Sequence, residues 1–414
     1  MFRPQSIVLT SSLSSVEKKE QGIFFTPSPI RKHFMDFLGK LSSHTATDGS
    51  AVNPQTFLEP SMGSGEFVLD ILQSFPNALI TGVEKNKTLF ESTRQTLTDT
   101  SVELIHTDFL DNTRIPEVSS YDVIIGNPPY FQVKEGKSNF KKIYPELEGK
   151  FDIYVLFLLK CLRLLNPDGH LLFVLPKTFV NTKSYHRVRR LVATRFRICE
   201  LIDFGSGDWL STKQNTIGLL LQNTPSNNSD FMFEFPFGGN LIVNTKYAIA
   251  ALKSVYSCFP TIHSKGFTVR TGEIICTSTT YKHKMTSTPK SSALLVHNSQ
   301  IRNFGFLPNV PKGSKRPLYI DVEHSHITQP VIAVNRGNGN NGVFRFECCW
   351  LNPSDYEFPL VAENHIYKIY DNGLNELASL FQSLKDPRVI DFLGHCCGNG
   401  MMTKELLLNI PIFQ

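Results

Sequence analysis

Between about residue 50 and residue 223, short apolar runs alternate with amphipathic stretches, and few folds accommodate such an alternation. The runs are Thr56–Leu58, Ala78–Val83, Val102–His106, Asp122–Ile125, His170–Leu175, Ile198–Ile202 and Thr216–Leu221. Helical stretches fall between them at Glu66–Gln73, Lys87–Leu97, Ile153–Leu165 and Tyr185–Thr194. Strands alternating with helices predict βαβ units, and so an α/β fold with a doubly wound, mostly parallel sheet of seven strands. The last two strands are expected to close one sheet edge as a hairpin.

The texture changes on either side of this block. Residues 1–20 are rich in serine with little periodicity, which suggests a loose arm or a surface strand. Asn223–Asp230 (NTPSNNSD) is polar, contains a proline and reads as a linker. Beyond it, runs such as FMFEFPFGG, QPVIAVNRG, NGVFRFECCW and ENHIYKIY are strand-like and separated by Gly, Asn and Pro. Only Glu376–Leu384 and Thr403–Leu408 look helical there. The expected organisation is an arm at 1–20, an α/β domain at 21–225 and a mixed α+β, β-rich domain at 231–414.

Composition excludes several classes. At 414 residues with 41% hydrophobic and 19% charged residues, the chain can bury a sizeable core and is not a charged disordered polymer. No uninterrupted apolar run approaches the ~18 residues of a membrane-spanning helix. The N-terminus lacks the apolar core of a signal peptide. Eight cysteines are too few for a disulfide scaffold and read as reduced thiols, so a cytoplasmic setting is expected. The net charge of +5 permits an anionic partner without demanding one.

Three strand ends carry ligand-type residues. Phe57-Leu58-Glu59-Pro60-Ser61-Met62-Gly63-Ser64-Gly65-Glu66 reads as strand, glycine turn and helix, where missing Cβ atoms let a ligand approach the backbone. Glu84 ends the second strand, where a carboxylate commonly accepts hydrogen bonds from ribose hydroxyls. Asp108 and Phe109 follow the third, placed to meet an adenine amino group and to cover its ring. Together they point to an adenosine-containing cofactor. The fourth strand ends in Asn127-Pro128-Pro129-Tyr130. Two prolines fix φ and remove N–H groups, so the Asn127 side chain and the Pro128 carbonyl are expected to be rigid, outward-facing acceptors. With the flat face of Tyr130, they suit a planar group bearing an exocyclic NH₂.

These residues, together with Gly22-Ile23-Phe24-Phe25-Thr26-Pro27 before the glycine turn, resemble the gamma class of N6-adenine DNA methyltransferases of Type II restriction–modification systems. The resemblance covers residues 20–223 by specific motifs and the C-terminal half only loosely, through Arg270-Thr271-Gly272-Glu273 and Gly398–Thr403. It implies S-adenosyl-L-methionine as cofactor. Thr26, Pro27, Glu59, Pro60, Ser61, Gly63 and Gly65 would then meet its methionine end, Glu84 its ribose, and Asp108 and Phe109 its adenine, with Asn127 beside it. The same likeness gives Asn127, Pro128, Pro129 and Tyr130 to the target base, and makes Trp209 the counterpart of a second stacking aromatic. It implies double-stranded DNA as partner, base flipping, a target-recognition role for the C-terminal domain, and a cognate restriction endonuclease acting separately. A monomer, with no metal and no membrane, is expected.

Weaker signals have two readings each. The lysine-rich segment Gln132–Lys150, including Lys137, Lys141 and Lys142, suits either DNA phosphates or plain solvation. Arg187, in His186-Arg187-Val188-Arg189-Arg190, reads as the wet face of a helix or as a phosphate contact. Arg336 lies in a Gly/Asn-rich loop, where it either reaches a guanine edge or marks a hairpin turn. Cys348-Cys349 and Cys396-Cys397 lack zinc-site spacing and read as core thiols. The rival functions are a protein-glutamine or RNA amino-methyltransferase using the same pocket, N4-cytosine methylation of DNA, and a catalytically silent DNA-binding subunit.

Overall fold

A computed structural model describes residues 2–14, 17–18, 21–42, 54–98, 101–111, 120–205, 215–287, 293–308, 317–336, 345–396 and 401–413. The chain divides into two compact units, Met1–Phe233 with Leu241–Ile249, and Glu234–Asn240 with Ala250–Gln414.

The first unit begins with helices α1 (Pro4–Ser12) and α2 (Ser28–Ser42). The alternating block follows: β1 (Thr56–Glu59), α3 (Glu66–Ser74), β2 (Leu79–Glu84), α4 (Lys87–Thr96), β3 (Val102–His106) and β4 (Tyr121–Gly126). After α5 (Lys137–Ile143) come α6 (Ile153–Leu164), β5 (Leu165–Pro176), α7 (His186–Arg195), β6 (Arg197–Gly205) and β7 (Thr216–Gln222). The seven strands lie in the order β3-β2-β1-β4-β5-β7-β6. The first five are parallel to their neighbours, while β7 runs antiparallel to both β5 and β6. The expected sheet and its closing hairpin are therefore present.

This order has a direct consequence for function. The chain leaves β1 outward to β2 and β3, then returns to lay β4 on the other side of β1. Reversal of strand order opens a crevice at the carboxyl ends of the central strands, where open α/β sheets bind ligands. Burial explains the apolar strands: Leu171–Leu175 is fully inaccessible, as expected for a sheet covered on both faces. On one face α2 buries Ile30, Phe34 and Leu38, four residues apart, in a core with Phe57, Ile80, Val123, Leu172 and Val174.

Residues 1–20 differ from the expected arm or strand. Pro4–Ser12 is helical with Pro4 at its first turn, where a missing N–H costs nothing. Leu9 and Leu13, spaced for one helical face, pack with Leu89, a signal hidden in the sequence by the surrounding serines. Ser6 is buried, and its hydroxyl meets both Ser64 and Glu66.

In the second unit, Thr268–Thr271, Ile366–Tyr370, Val331–Asn335 and Cys348–Leu351 form an antiparallel sheet in that spatial order. A smaller sheet joins Met285–Thr286, Tyr319–Ile320, Ala293–Val296 and Leu360–Ala362, the last pair parallel. Leu377–Leu384 and Lys404–Leu408 are helical as expected. The helix at Lys246–Cys258, which begins in the first unit and ends in the second, and the helix at Pro387–Cys396 were not expected. The first follows a run of short strand-like segments and carries two Tyr and two Ser beside its three Ala; the second opens on a proline, a breaker inside a helix but welcome at its first position. Cys348, Cys349 and Cys396 are buried thiols, while Cys397 lies outside the described residues.

Candidate active site

Four strand ends of the first unit contribute to one cavity of about 470 Å³, a size ordinary for a small-ligand pocket. At the end of β1, Gly63 and Gly65 take positive φ of 54° and 73° and turn the chain into α3. A Cβ on Gly65 would stand 2.7 Å from Thr93 Cγ2, so only glycine fits there. Glu84, at the end of β2, holds this turn in place: its Oε2 accepts from the Gly63 amide at 3.0 Å and its Oε1 from Asn86 N at 2.6 Å. Burial raises the Glu84 carboxyl above its usual range, against the pull of those two amides. Glu59 is buried too, and its Oε2 has no partner. Burial, with the Glu84 and Asp70 carboxylates adding to it, pushes Glu59 well above the usual range.

After β3, Asp108 accepts from Leu110 N through Oδ1 and from Lys85 Nζ through Oδ2, at 3.0 and 2.7 Å. Phe109 packs its ring 5.0 Å from that of Phe157 in the cavity wall. At the end of β4, Asn127 Nδ2 donates to the Phe24 carbonyl at 2.9 Å, and its Oδ1 lies 2.5 Å from the Tyr130 hydroxyl. The Phe24 carbonyl can only accept, so it decides which way the Asn127 amide points. The Tyr130 hydroxyl also lies 2.9 Å from the Val174 carbonyl, and its single hydrogen serves one of these acceptors at a time. Gly22 allows this assembly. Its φ is +64°, and a Cβ there would stand 2.5 Å from Tyr130 N and 3.0 Å from Pro129.

Of the residues expected at a cofactor site, Thr26, Glu59, Pro60, Ser61, Gly63, Glu84, Asp108, Phe109 and Asn127 line this cavity. Pro27 and Gly65 support it without lining it: Pro27 opens α2, and Gly65 closes the glycine turn. Among the target-base residues, Asn127 and Pro129 face the cavity, while Pro128 and Tyr130 are not among its lining. Asn127, expected as a rigid acceptor, is engaged on both sides by Phe24 and Tyr130.

The comparisons with known proteins meet this geometry. Residues 64–209 match the family described as Eco57I restriction-modification methylase. That segment is similar to this methylase family. The modification methylase CviBIII of Paramecium bursaria Chlorella virus NC1A is 31% identical over 216 residues, covering 52% of this chain and 53% of that protein. The Type II methyltransferase M.VspI of Vibrio sp. (strain 343) is 30% identical over 48% of each chain. The chain thus spans about half the length of both. The Type II methyltransferase M.CvrRI of Paramecium bursaria Chlorella virus XZ-6E is 26% identical over 100% of this chain and 99% of its own.

For the methylase segment the expected cofactor is S-adenosyl-L-methionine, and the cavity has groups that fit it. A buried carboxylate with an unpartnered oxygen, Glu59, suits an ammonium group. Glu84 and Asp108 suit hydroxyl and amino donors, and Phe109 and Phe157 supply apolar wall.

The sequence reading missed the polar support beneath the methylase cavity. Arg31, on α2, is almost fully buried; it donates to the Thr26 carbonyl at 2.7 Å, pairs with Asp70 at 2.6 Å, and also pairs with Glu66. Arg3 joins Asp70 from α1 at 2.6 Å. One signal was available: Arg31 sits on the face otherwise formed by Ile30, Phe34 and Leu38, and a charge there needs buried partners.

The remaining expectations separate. Lys137, Lys141 and Lys142 lie on α5, which buries no residue, and they do not line the cavity. Arg187 pairs with Glu148 at 2.7 Å. Its neighbour Arg189 is not on a wet face: it is fully buried and donates to the carbonyls of Leu241, Phe179 and Thr182. In the second unit, Arg336 donates to the Asn364 carbonyl at 3.2 Å and stacks over Tyr367. Trp209 lies outside the described residues.

Proposed function

We propose that this chain is a site-specific DNA methyltransferase that transfers a methyl group to N6 of an adenine flipped out of double-stranded DNA, as the modification enzyme of a restriction–modification system. The observation that carries the reading is the position of Asn127-Pro128-Pro129-Tyr130 at the end of β4, with Asn127 in the cavity that also holds Glu59, Glu84 and Asp108.

S-adenosyl-L-methionine supplies an electrophilic methyl group when bound. Glu59 would hold its ammonium group, Glu84 its ribose hydroxyls, and Asp108 its adenine amino group beside Phe109. The other side of the reaction belongs to the protein. Adenine N6 is a weak nucleophile because its lone pair is delocalised into the ring. Asn127 Oδ1 keeps one lone pair beyond the contact with Tyr130, and it would accept from the N6 amino group together with the Pro128 carbonyl. These acceptors favour a pyramidal nitrogen and stabilise its developing positive charge. N6 would receive the methyl carbon of the bound cofactor, with the bonding pair left on the cofactor's sulfur and one N6 proton released to solvent. Positioning and electrostatics supply the catalysis.

Flipping the base costs a few kcal/mol, offset in part by stacking on Tyr130. Recognition of the DNA sequence falls to residues beyond 231, and the enzyme works as a monomer with the endonuclease a separate protein.

The test is transfer from labelled S-adenosyl-L-methionine to unmethylated genomic DNA, followed by nucleoside analysis. N6-methyladenine that disappears with Asn127→Ala supports the reading. Label in N4-methylcytosine corrects the base, and label in RNA or protein but not in DNA overturns it.

A further inference from the structure

In the second unit, three side chains from distant parts of the sequence meet. Cys276, His297 and Glu363 place Sγ, a ring nitrogen and a carboxylate oxygen within 4.8 Å of one another, and both His297 and Glu363 are buried. From these donors we propose that the second unit holds one zinc-type divalent cation between Cys276 Sγ, His297 Nδ1 and Glu363 Oε2.

The distances suit a tetrahedral ion. Donors bound at about 2.0–2.3 Å stand about 3.3–3.6 Å apart around such a centre. Nδ1 of His297 lies 3.4 Å from Oε2 of Glu363, and Cys276 Sγ lies 3.7 Å from the same oxygen. A plain hydrogen bond from the ring nitrogen would be shorter.

The surroundings orient the donors as an ion requires. His297 Nε2 lies 2.9 Å from the Pro317 carbonyl, which can only accept, so the ring carries its proton on Nε2 and keeps Nδ1 as an acceptor, while the side chain also accepts from the Gln300 amide. Glu363 Oε1 accepts from the Asn298 amide at 2.5 Å, leaving Oε2 for the centre. The backbone is fixed as well. Ile274 pairs with Glu363 across a parallel bridge, and Gly272 lies so close to the Glu363 carbonyl that a Cβ there would collide with it.

His365 stands outside this group of three, and solvent supplies the fourth donor. The His365 Nδ1 lies 3.9 Å from Glu363 Oε2, and its side chain is 55% exposed. An ion bound here would add to the strand pairing and hydrogen bonds that already join these three segments. Its role is structural, because its three protein ligands come from segments far apart in the sequence.

The experiment uses the full chain, stripped with chelator and titrated with zinc and with cobalt(II), with metal content read by mass spectrometry. Wild type is expected to bind one zinc per chain, and its cobalt form to show thiolate-to-metal charge-transfer absorption. Cys276→Ala removes that band and lowers zinc affinity at least 100-fold, whereas Cys258→Ala, at an exposed thiol, changes neither. Circular dichroism of the stripped Cys276→Ala protein establishes that it is folded. No stoichiometric zinc in wild type, or unchanged zinc and cobalt spectra in folded Cys276→Ala, overturns the site.

Discussion

The Gly63 amide donates to Glu84 Oε2 at 3.0 Å, tying the tip of the glycine turn to the end of the second strand. One carboxylate therefore shapes the loop and lines the cavity. Each of its oxygens accepts one backbone amide and keeps a lone pair for a bound molecule.

Glu84→Gln puts an amide NH₂ against one of those backbone N–H groups and loosens the turn. Affinity for S-adenosyl-L-methionine should fall about 10- to 100-fold, the loss of one charge-assisted hydrogen bond. Calorimetric titration reads it directly. A dissociation constant within twofold of wild type would sink the idea.

Tyr130→Phe keeps the ring and removes the hydroxyl between Asn127 Oδ1 and the Val174 carbonyl. Turnover should drop roughly 3- to 30-fold as the amide loses its brace, a loss of about 1–2 kcal/mol. Cofactor affinity should stay unchanged. Tyr130→Ala removes the stacking face too and should lose at least a further tenfold. Equal turnover in the Phe and Ala variants would mean the ring meets no base.

Much of this site is readable from the sequence because it depends on the ends of strongly periodic strands. Glu59, Glu84, Asp108 and Asn127 each follow an apolar run, and a parallel sheet brings such ends to one edge. The support beneath them is not readable in the same way. Arg31, Glu66, Asp70 and Ser6 come from three helices, and nothing in their local spacing says that they meet. The second unit is harder still. Its strands are short, its pairings are long-range, and the partners of Cys276 lie in two separate later segments.

Arg189→Met should be among the most destabilising substitutions in the first unit. It leaves the carbonyls of Leu241, Phe179 and Thr182 without their donor. Burial pulls the guanidinium down to about 9, with Tyr154 and Tyr185 opposing that shift, and the group stays charged at neutral pH. Orphaned buried acceptors cost about 1–3 kcal/mol each, and a total loss of roughly 3–5 kcal/mol is expected in urea unfolding. A loss below about 1 kcal/mol would show that water replaces the guanidinium.

His170, at the core-facing start of the apolar stretch of β5, should make stability depend on acid. Burial lowers its imidazole from 6.5 to about 4, with Asp168 opposing that shift and Arg197 adding to it. The unfolded chain therefore takes up the proton first. Its contribution is fully present above pH 6.5 and is lost as pH falls toward about 4, up to roughly 3 kcal/mol. Unfolding curves for wild type and His170→Asn should converge over that range. Parallel curves would show that other groups carry the acid sensitivity.

The strand order also sets a timetable for biosynthesis. Strands β3, β2, β1 and β4 are adjacent in space and all lie within the first 126 residues. The wall of the cavity is complete once Phe157 has left the ribosome. The reversed pair at the far edge, β7 and β6, is translated afterwards, so the pocket-bearing half of the sheet can assemble and take up cofactor while the chain is still growing.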